Sequence, residues 1–424
     1  MNQTIHSAHL SGTVAAIPSK SQAHRLLICA ALADAPSKVL CSGSSADILA
    51  TVRCLCGFGA DIRSIPGGFA VNPIGTAEKN KQLQPGESGS TLRFLLPVAG
   101  AFGYEGCFKM EGRLPQRPLT PLDTELRNHG MTIAHPQEAL LAVGGRLCSG
   151  NYTLPGDVSS QYISGLLFAL PLLQGDSTLT ITGKRESADY ITMTIRALEK
   201  YGVVICKTED GFSIPGGQTY HPPVEAAVEG DWSNAAFWLC AGALSQNGVT
   251  VTGLDMNSPQ GDKEIVEILR RFGAKVTVCS DAVTVCGGKL HGITLDASGV
   301  PDLVPVVSMV AAAAEGETCI TGAARLRIKE SDRLEAVSAL LTDLGGKVQQ
   351  LPDGLMIRGG KPLTGGVVSA FGDHRIAMSA AVAAGIATGP VTVTGAEAVE
   401  KSYPAFWADY AKLGGCVRPA KEEV

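Results

Sequence analysis

The sequence predicts a mixed α/β (α+β) protein of two domains, built from six βαβαββ units with three units in each domain. Three observations predict it. The chain has 424 residues, more than one hydrophobic core usually supports. A short pattern ending in glycine recurs six times, about 71 residues apart. Each recurrence is preceded by two helix-like segments with a short strand between them, and five are followed by a strand, a turn and a second strand.

The pattern is an apolar residue, two arbitrary residues, a bulky residue and then Gly. It runs Leu55…Phe58-Gly59, Leu126…His129-Gly130, Leu198…Tyr201-Gly202, Leu269…Phe272-Gly273, Leu341…Leu344-Gly345 and Tyr410…Leu413-Gly414. The glycine intervals are 71, 72, 71, 72 and 69 residues. Each glycine suits the position after a helix, where left-handed backbone stops the chain from continuing. Val276-Thr277-Val278 followed by Asp281–Val285, closed by Gly287-Gly288, is one hairpin. Val348-Gln349-Gln350, Asp353-Gly354 and Leu355-Met356-Ile357 repeat the arrangement before Gly359-Gly360. The sixth recurrence runs into Pro419 and a charged tail, so its hairpin is truncated.

The first helix of each unit is expected to open near Lys20, Ser88, Ser159, Ser233, Asp302 and Asp373. Runs such as Leu26–Leu32 and Val306–Ala314 are apolar all round, so these helices should be buried. The second helices are expected near Ser45, Pro118, Ala188, Asp262, Lys329 and Lys401. Linkers are expected near Pro18 and from His221-Pro222-Pro223 to Asp231.

Composition narrows the function. Hydrophobic residues make up 45% and charged residues 18%, which excludes disorder. Aromatics at 5% argue against base stacking, and a net charge of −5 means that any anion site is built locally. No nucleic-acid partner is therefore expected. The apolar run Leu303–Ala314 is well short of the roughly 18 residues that a spanning helix needs, and Met1–His6 lacks the look of a signal peptide. No membrane partner and a cytoplasmic location are expected. The 12 cysteines are scattered without C-x-x-C or zinc spacing, which reads as reduced thiols and no metal.

The helix openings carry the chemistry. Lys20-Ser21-Gln22-Ala23-His24-Arg25, Glu87-Ser88-Gly89-Ser90-Thr91-Leu92-Arg93, Arg117-Pro118, Ser159-Ser160-Gln161 and Ser187-Ala188-Asp189-Tyr190 are polar or charged. So are Lys329-Glu330-Ser331-Asp332-Arg333, Asp373-His374-Arg375 and Lys401-Ser402-Tyr403-Pro404. Capping accounts for Ser159, Ser233 and Asp373. It does not account for Lys20, Arg117, Lys329, Arg333, Arg375 and Lys401, because a cation at a helix N-terminus opposes the macrodipole. A bound anion removes that conflict, and phosphate or carboxylate would serve. His24 and His374 sit among charged residues, where a titrating role or a structural hydrogen bond is open. There is no G-x-x-x-x-G-K-[ST] and no H-E-x-x-H, and Gly57-Phe58-Gly59 ends a helix where a dinucleotide fingerprint would open one.

Together these motifs, from about Ser11 to Gly414, resemble the enolpyruvyl transferase family and, within it, the EPSP synthases (3-phosphoshikimate 1-carboxyvinyltransferases). The resemblance implies an active site in the cleft between two domains, closing on ligands. One domain is expected to comprise residues 1–16 and 229–424, completed by the N-terminal strand, and the other residues 17–228. It implies that Lys20, Ser21, Arg25, Ser159, Ser160, Gln161, Ser187, Tyr190, Asp302, Arg325 and Lys329 bind shikimate 3-phosphate. Phosphoenolpyruvate would meet Lys20, Gly89, Arg117, Gln161, Arg333, His374, Arg375 and Lys401. Glu330 is the candidate to give and retrieve the methylene proton, and Asp302 with Lys20 to accept the hydroxyl proton. The division of proton transfers among Lys20, Asp302 and Glu330 stays open. No cofactor is implied, the partners are small-molecule substrates, and a monomer is expected.

The chain departs from the family at Glu87, Phe94, Ala188-Asp189 and Arg325. Arg325 would contact the shikimate phosphate or face solvent. Gly89 leaves room beside phosphoenolpyruvate, which implies sensitivity to glyphosate. The sister reading is enolpyruvyl transfer to UDP-N-acetylglucosamine. Against it, Gly112 stands where that enzyme carries a cysteine, Cys107 lies too far from Arg117, and the opening motif is Ser19-Lys20-Ser21. A non-catalytic anion-binding repeat protein is the remaining alternative.

Overall fold

The computed structural model describes residues 1–6, 8–75 and 81–420. It divides into an inserted unit, Pro18–Val228, and a terminal unit formed by Met1–Ile17 with Glu229–Val424. The charged tail from residue 421 lies outside the described residues.

Each unit contains three four-stranded sheets of one design. In strand order, those of the inserted unit are Glu225–Ala227, Ser37–Leu40, Gly68–Asn72, Asp61–Ile65; then Gln82–Gly86, Gly106–Met110, Leu140–Gly145, Met131–Gln137; then Asn151–Pro155, Ser177–Thr182, Gly211–Ile214, Cys206–Lys207. The first two strands of each sheet run parallel and the rest pair antiparallel. A parallel pair needs a crossover, and the first helix of each repeat supplies it in the second and third sheets. In the first sheet the edge strand comes instead from Glu225–Ala227, the far end of the unit. The helices are α1 (Lys20–Ala31), α2 (Ala46–Phe58), α3 (Gly89–Phe102), α4 (Leu122–Asn128), α5 (Ser160–Ala169) and α6 (Ala188–Lys200).

The terminal unit repeats the plan with α7 (Trp232–Ala243), α8 (Ile265–Phe272), α9 (Val304–Ala313), α10 (Arg333–Asp343), α11 (His374–Ala383) and α12 (Phe406–Lys412). Its sheets are Gly12–Ala15, Val249–Thr252, Ala282–Cys286, Lys275–Val278; Thr294–Asp296, Glu317–Thr321, Gly354–Arg358, Lys347–Leu351; and Gly366–Ser369, Val391–Thr394, Asn2–His6, Cys416–Pro419. The truncated last hairpin is thus completed by the chain's own start, with Ile5 opposite both Val391 and Val417. Gly12–Ala15 pairs in parallel with Val249–Thr252 as the edge strand of its sheet. The first helices are cores: Val304–Ala312 of α9 and residues 23–31 of α1 are buried throughout.

All six periodic glycines have positive φ, from +75° to +112°. Several helix starts differ from expectation. The α4, α10 and α12 helices open at Leu122, Arg333 and Phe406, not near Pro118, Lys329 and Lys401. Asp231, not Ser233, caps α7. The cause is a 3-10 turn ahead of each displaced second helix: Leu114–Gln116, Ala324–Ile328 and Ala396–Lys401. Arg117 and Lys329 follow such turns and Lys401 ends one, so these cations lie by C-terminal carbonyls and face no adverse dipole.

The glycine period gives a test. Gly273 and Gly414 share a φ near +93° (+94° and +92°), but a Cβ at Gly273 would lie 2.4 Å from the Lys289 carbonyl oxygen while one at Gly414 meets nothing within 4 Å. Gly414→Ala should cost about 1 kcal/mol for left-handed backbone alone, and Gly273→Ala at least about 1 kcal/mol more from the clash. Equal losses in urea unfolding would contradict the close approach.

Candidate active site

In the inserted unit the polar groups are carried by the starts of α1, α3, α5 and α6. Lys20 is the first residue of α1, and its Nζ is 2.9 Å from Asp47 Oδ2 at the start of α2. Arg25, one turn later, is buried and donates to Thr194 Oγ1 (2.8 Å), the Ser21 carbonyl (2.6 Å) and the Tyr190 carbonyl (2.8 Å). Its guanidinium carbon also lies 5.0 Å from the centroid of Phe94. Arg25 therefore orients Ser21 and Tyr190, and burial brings its own pKa down to about 10.

Ser88 caps α3 and Ser159 caps α5. Gln161 joins them: its Nε2 donates to Ser90 Oγ at 2.9 Å and its Oε1 accepts from Arg93 Nη1 at 2.8 Å. A Cβ at Gly89 would sit 2.8 Å from both Arg117 Nη1 and Arg93 Nη1. Two guanidinium groups thus converge on a position that admits no side chain without moving them. Ser187, which precedes α6, is buried and held at φ +51°, a left-handed conformation costly for a residue with a Cβ. Ser160 is buried at the first position of α5.

His24 does not titrate usefully. Burial pushes its pKa down to about 3, and its Nδ1 meets Thr51 Oγ1 at 2.6 Å. That contact continues through Thr91 Oγ1 (2.6 Å) to the Ser88 cap (2.8 Å). The ring is a neutral structural link.

In the terminal unit one guanidinium organises the site. Arg333, the first residue of α10, is buried. Its Nε donates to Asp373 Oδ2 (2.7 Å), its Nη1 to Asp302 Oδ1 (2.8 Å) and its Nη2 to Glu330 Oε2 (2.8 Å). Asp302 also faces Arg375 Nη2 at 3.5 Å and Lys329 Nζ at 3.7 Å. Burial opposes its ionisation, but Arg375, Lys329 and Arg333 together hold Asp302 well below the usual carboxylate range. Burial is also the main cause that brings Lys329 down to about 8, with Asp302 opposing it. Arg325 bonds the Ser298 carbonyl at 3.0 Å and its charge contributes to lowering Lys329. Asp373 caps α11, and His374 Nδ1 lies 3.6 Å from Asp373 Oδ1. Lys401 ends the turn Ala396–Lys401, which packs along α11.

The structure thus joins Asp302, Lys329, Glu330, Arg333 and Arg375 in one cluster, and links Arg25, Ser21 and Tyr190, and separately Gly89, Arg117 and Gln161, in the inserted unit. Sequence reasoning passed over Asp47, Arg93, Asp373 as an ion-pair partner, and Ser233, whose Oγ accepts from Arg375 Nη2 at 2.6 Å. Arg93 lay inside the quoted motif, one helical turn after Gly89, and that spacing was its signal. Among the described residues no group of three or more His, Cys, Asp or Glu could hold a metal ion, and no helix is long and apolar enough to cross a membrane.

The family model described as EPSP synthase (3-phosphoshikimate 1-carboxyvinyltransferase) matches residues 5–410. A 3-phosphoshikimate 1-carboxyvinyltransferase of Clostridium kluyveri is 42% identical over 421 residues, covering 97% of each chain. The EPSP synthase structure from Acinetobacter baumannii superposes with a TM-score of 0.81 at 25% identity, covering 99% of this chain and 100% of that one. The enolpyruvyl transferase NikO from Streptomyces tendae shares the fold at a TM-score of 0.79 and 18% identity, with 98% of each chain covered. With a family match across nearly the whole chain and that close a full-length relative, the chain belongs to the EPSP synthase (3-phosphoshikimate 1-carboxyvinyltransferase) family.

Proposed function

We propose that this chain transfers the enolpyruvyl group of phosphoenolpyruvate to the 5-hydroxyl of shikimate 3-phosphate, releasing 5-enolpyruvylshikimate 3-phosphate and phosphate. The observation that carries the reading is the charge cluster around Asp302, in which carboxylates and cations needed for proton transfer and anion binding are packed together. The enzyme acts on these small molecules in the cytoplasm, as a monomer and without nucleic acid.

In the reaction the methylene carbon of phosphoenolpyruvate gains a proton while the 5-hydroxyl oxygen attacks the neighbouring carbon and gives up its own. The tetrahedral adduct then loses phosphate, and a proton leaves the methyl carbon to restore the double bond. Asp302, surrounded by three cations, is a strong hydrogen-bond acceptor for the hydroxyl but a weak base. Glu330, bonded to Arg333, is the carboxyl group assigned to the carbon proton. Lys329 has a pKa of about 8, and Lys20 is the other amine within this set. Arg117, Arg375, Lys401 and Arg333 stabilise the phosphate and carboxylate charges, and His374 is assigned to the same anion. Ser21, Ser159, Ser160, Gln161, Ser187 and Tyr190 hold shikimate 3-phosphate, with Arg25 orienting two of them and Arg325 adding charge near its phosphate. The sister reaction on UDP-N-acetylglucosamine is disfavoured at Gly112, where φ is +52° and a Cβ would lie 2.3 Å from Glu87 Oε1. A cysteine fits poorly there.

Phosphate release from phosphoenolpyruvate should require shikimate 3-phosphate, ignore UDP-N-acetylglucosamine, and fall by roughly a hundredfold or more in Glu330→Gln. Release driven by the nucleotide sugar would overturn the substrate assignment. Because kcat/KM reports free-enzyme ionisations, it should decline as pH rises through about 8, where Lys329 loses its charge. Lys329→Arg should move that limb to higher pH, and an unmoved limb would clear Lys329 of the role. Gly89→Ala displaces the Arg117 and Arg93 guanidinium groups, so the KM for phosphoenolpyruvate should rise roughly tenfold with kcat little changed. Glyphosate should inhibit the native enzyme; an unaffected rate at millimolar inhibitor would count against that part of the reading.

A further inference from the structure

Behind the pair Asp302–Arg375 lies a second buried carboxylate that none of the roles above uses. Asp262 belongs to the 3-10 turn Gly261–Glu264 leading into α8 and is 3% exposed. The Ser233 hydroxyl faces this carboxylate and favours its charged form. The same hydroxyl oxygen accepts from Arg375 Nη2 at 2.6 Å. Arg375 Nη1 donates to the Asp302 carbonyl at 3.0 Å, and Nη2 lies 3.5 Å from Asp302 Oδ2.

The direction of this chain matters. A serine hydroxyl has one proton to give. Given to Asp262, it leaves the oxygen lone pairs to receive Arg375, so Asp262 sets which way Ser233 points. Burying a carboxylate is costly, and the turn does not need one to be held. Gln260 already pins it, accepting from the Trp232 amide at 3.1 Å and donating to the Gly230 carbonyl at 2.8 Å. Lys263 Nζ adds bonds to the carbonyls of Met256 (3.2 Å) and Ser258 (2.8 Å).

We propose that Asp262 is a positioning residue: through the Ser233 hydroxyl it fixes the Arg375 guanidinium against Asp302, in the pose that meets the phosphoenolpyruvate anion. This rests on the reading of Arg375 as a phosphoenolpyruvate contact. The charged groups facing Asp262 are Asp302, Arg375 and Asp231, while on its own turn Lys263 is spent on carbonyls and Glu264 is exposed. Burial and then the Asp302 charge raise Asp262 to about 6. The orienting charge is therefore present above that pH and lost as pH falls through it.

The test is the KM for phosphoenolpyruvate, with kcat, between pH 5.5 and 7.5 in wild type, Asp262→Asn and Ser233→Ala. The substrate phosphate itself titrates near pH 6, so the readout is the ratio of variant to wild type. At pH 7.5 Ser233→Ala should raise KM roughly tenfold, and Asp262→Asn, which keeps an acceptor but not the charge, roughly threefold, with kcat within about twofold. The Asp262→Asn ratio should approach one at pH 5.5, where wild type loses the same charge. A ratio that stays constant across pH, a Ser233→Ala enzyme with wild-type KM, or a loss confined to kcat would each overturn the proposal. If Asp262→Asn fails to fold, Ser233→Ala decides alone. A wild-type enzyme that releases no phosphate with shikimate 3-phosphate would instead overturn the functional reading itself.

Discussion

The terminal unit depends on how Arg333 is neutralised. A guanidinium that is almost wholly buried is tolerable only if its charge and each of its nitrogens are met, and here Asp302, Glu330 and Asp373 meet them. The three carboxylates come from three places in the repeat. Asp302 sits in the turn before α9, Glu330 just before α10, and Asp373 caps α11. One cation therefore ties together the starts of three helices. Removing any carboxylate would leave the others to carry the charge, which is why the same cluster can be structural and chemical at once. Arg375 and Lys329 then complete it around Asp302.

The repeat was legible because it is written in backbone requirements. A glycine with positive φ after a helix is needed whatever the surrounding sequence, so its 71-residue period survives where side chains vary. The strands that change places were less legible. Glu225–Ala227 serves the first repeat of the inserted unit and Gly12–Ala15 the first repeat of the terminal unit. Nothing in a three- or four-residue strand states its partner, because pairing is set by contacts far away in the chain. The helix starts at Leu122, Arg333 and Phe406 were misjudged for a local reason: a 3-10 turn uses the same polar and apolar residues as the first turn of a helix.

The cations themselves were visible, but what answers them was only partly so. Basic residues at helix starts read as waiting for an anion from outside. The protein itself answers Lys20 through Asp47, Arg333 through three carboxylates, and Lys329 and Arg375 through Asp302. Asp47 lies 27 residues from Lys20 and Asp373 lies 40 from Arg333, distances at which sequence spacing carries no geometric information. His24 decides between the two readings its sequence left open: burial outweighs its charged neighbours and leaves the ring a neutral, structural hydrogen-bond partner of Thr51.

The arginines and the lysine of the terminal cluster divide the electrostatic work in a way that follows from their chemistry. Arginine stays charged across the physiological range, so Arg333 and Arg375 supply a fixed field whatever the pH. Lys329, at about 8, and Asp262, at about 6, can change state near neutrality, and both interact with Asp302. Between those values the lysine is a cation and the buried aspartate an anion. Below the window the cluster loses a negative charge behind Arg375, and above it a positive charge beside Asp302. The pH interval in which the cluster keeps both charges is thus set by burial of two side chains, neither of which has to be the group that moves a proton.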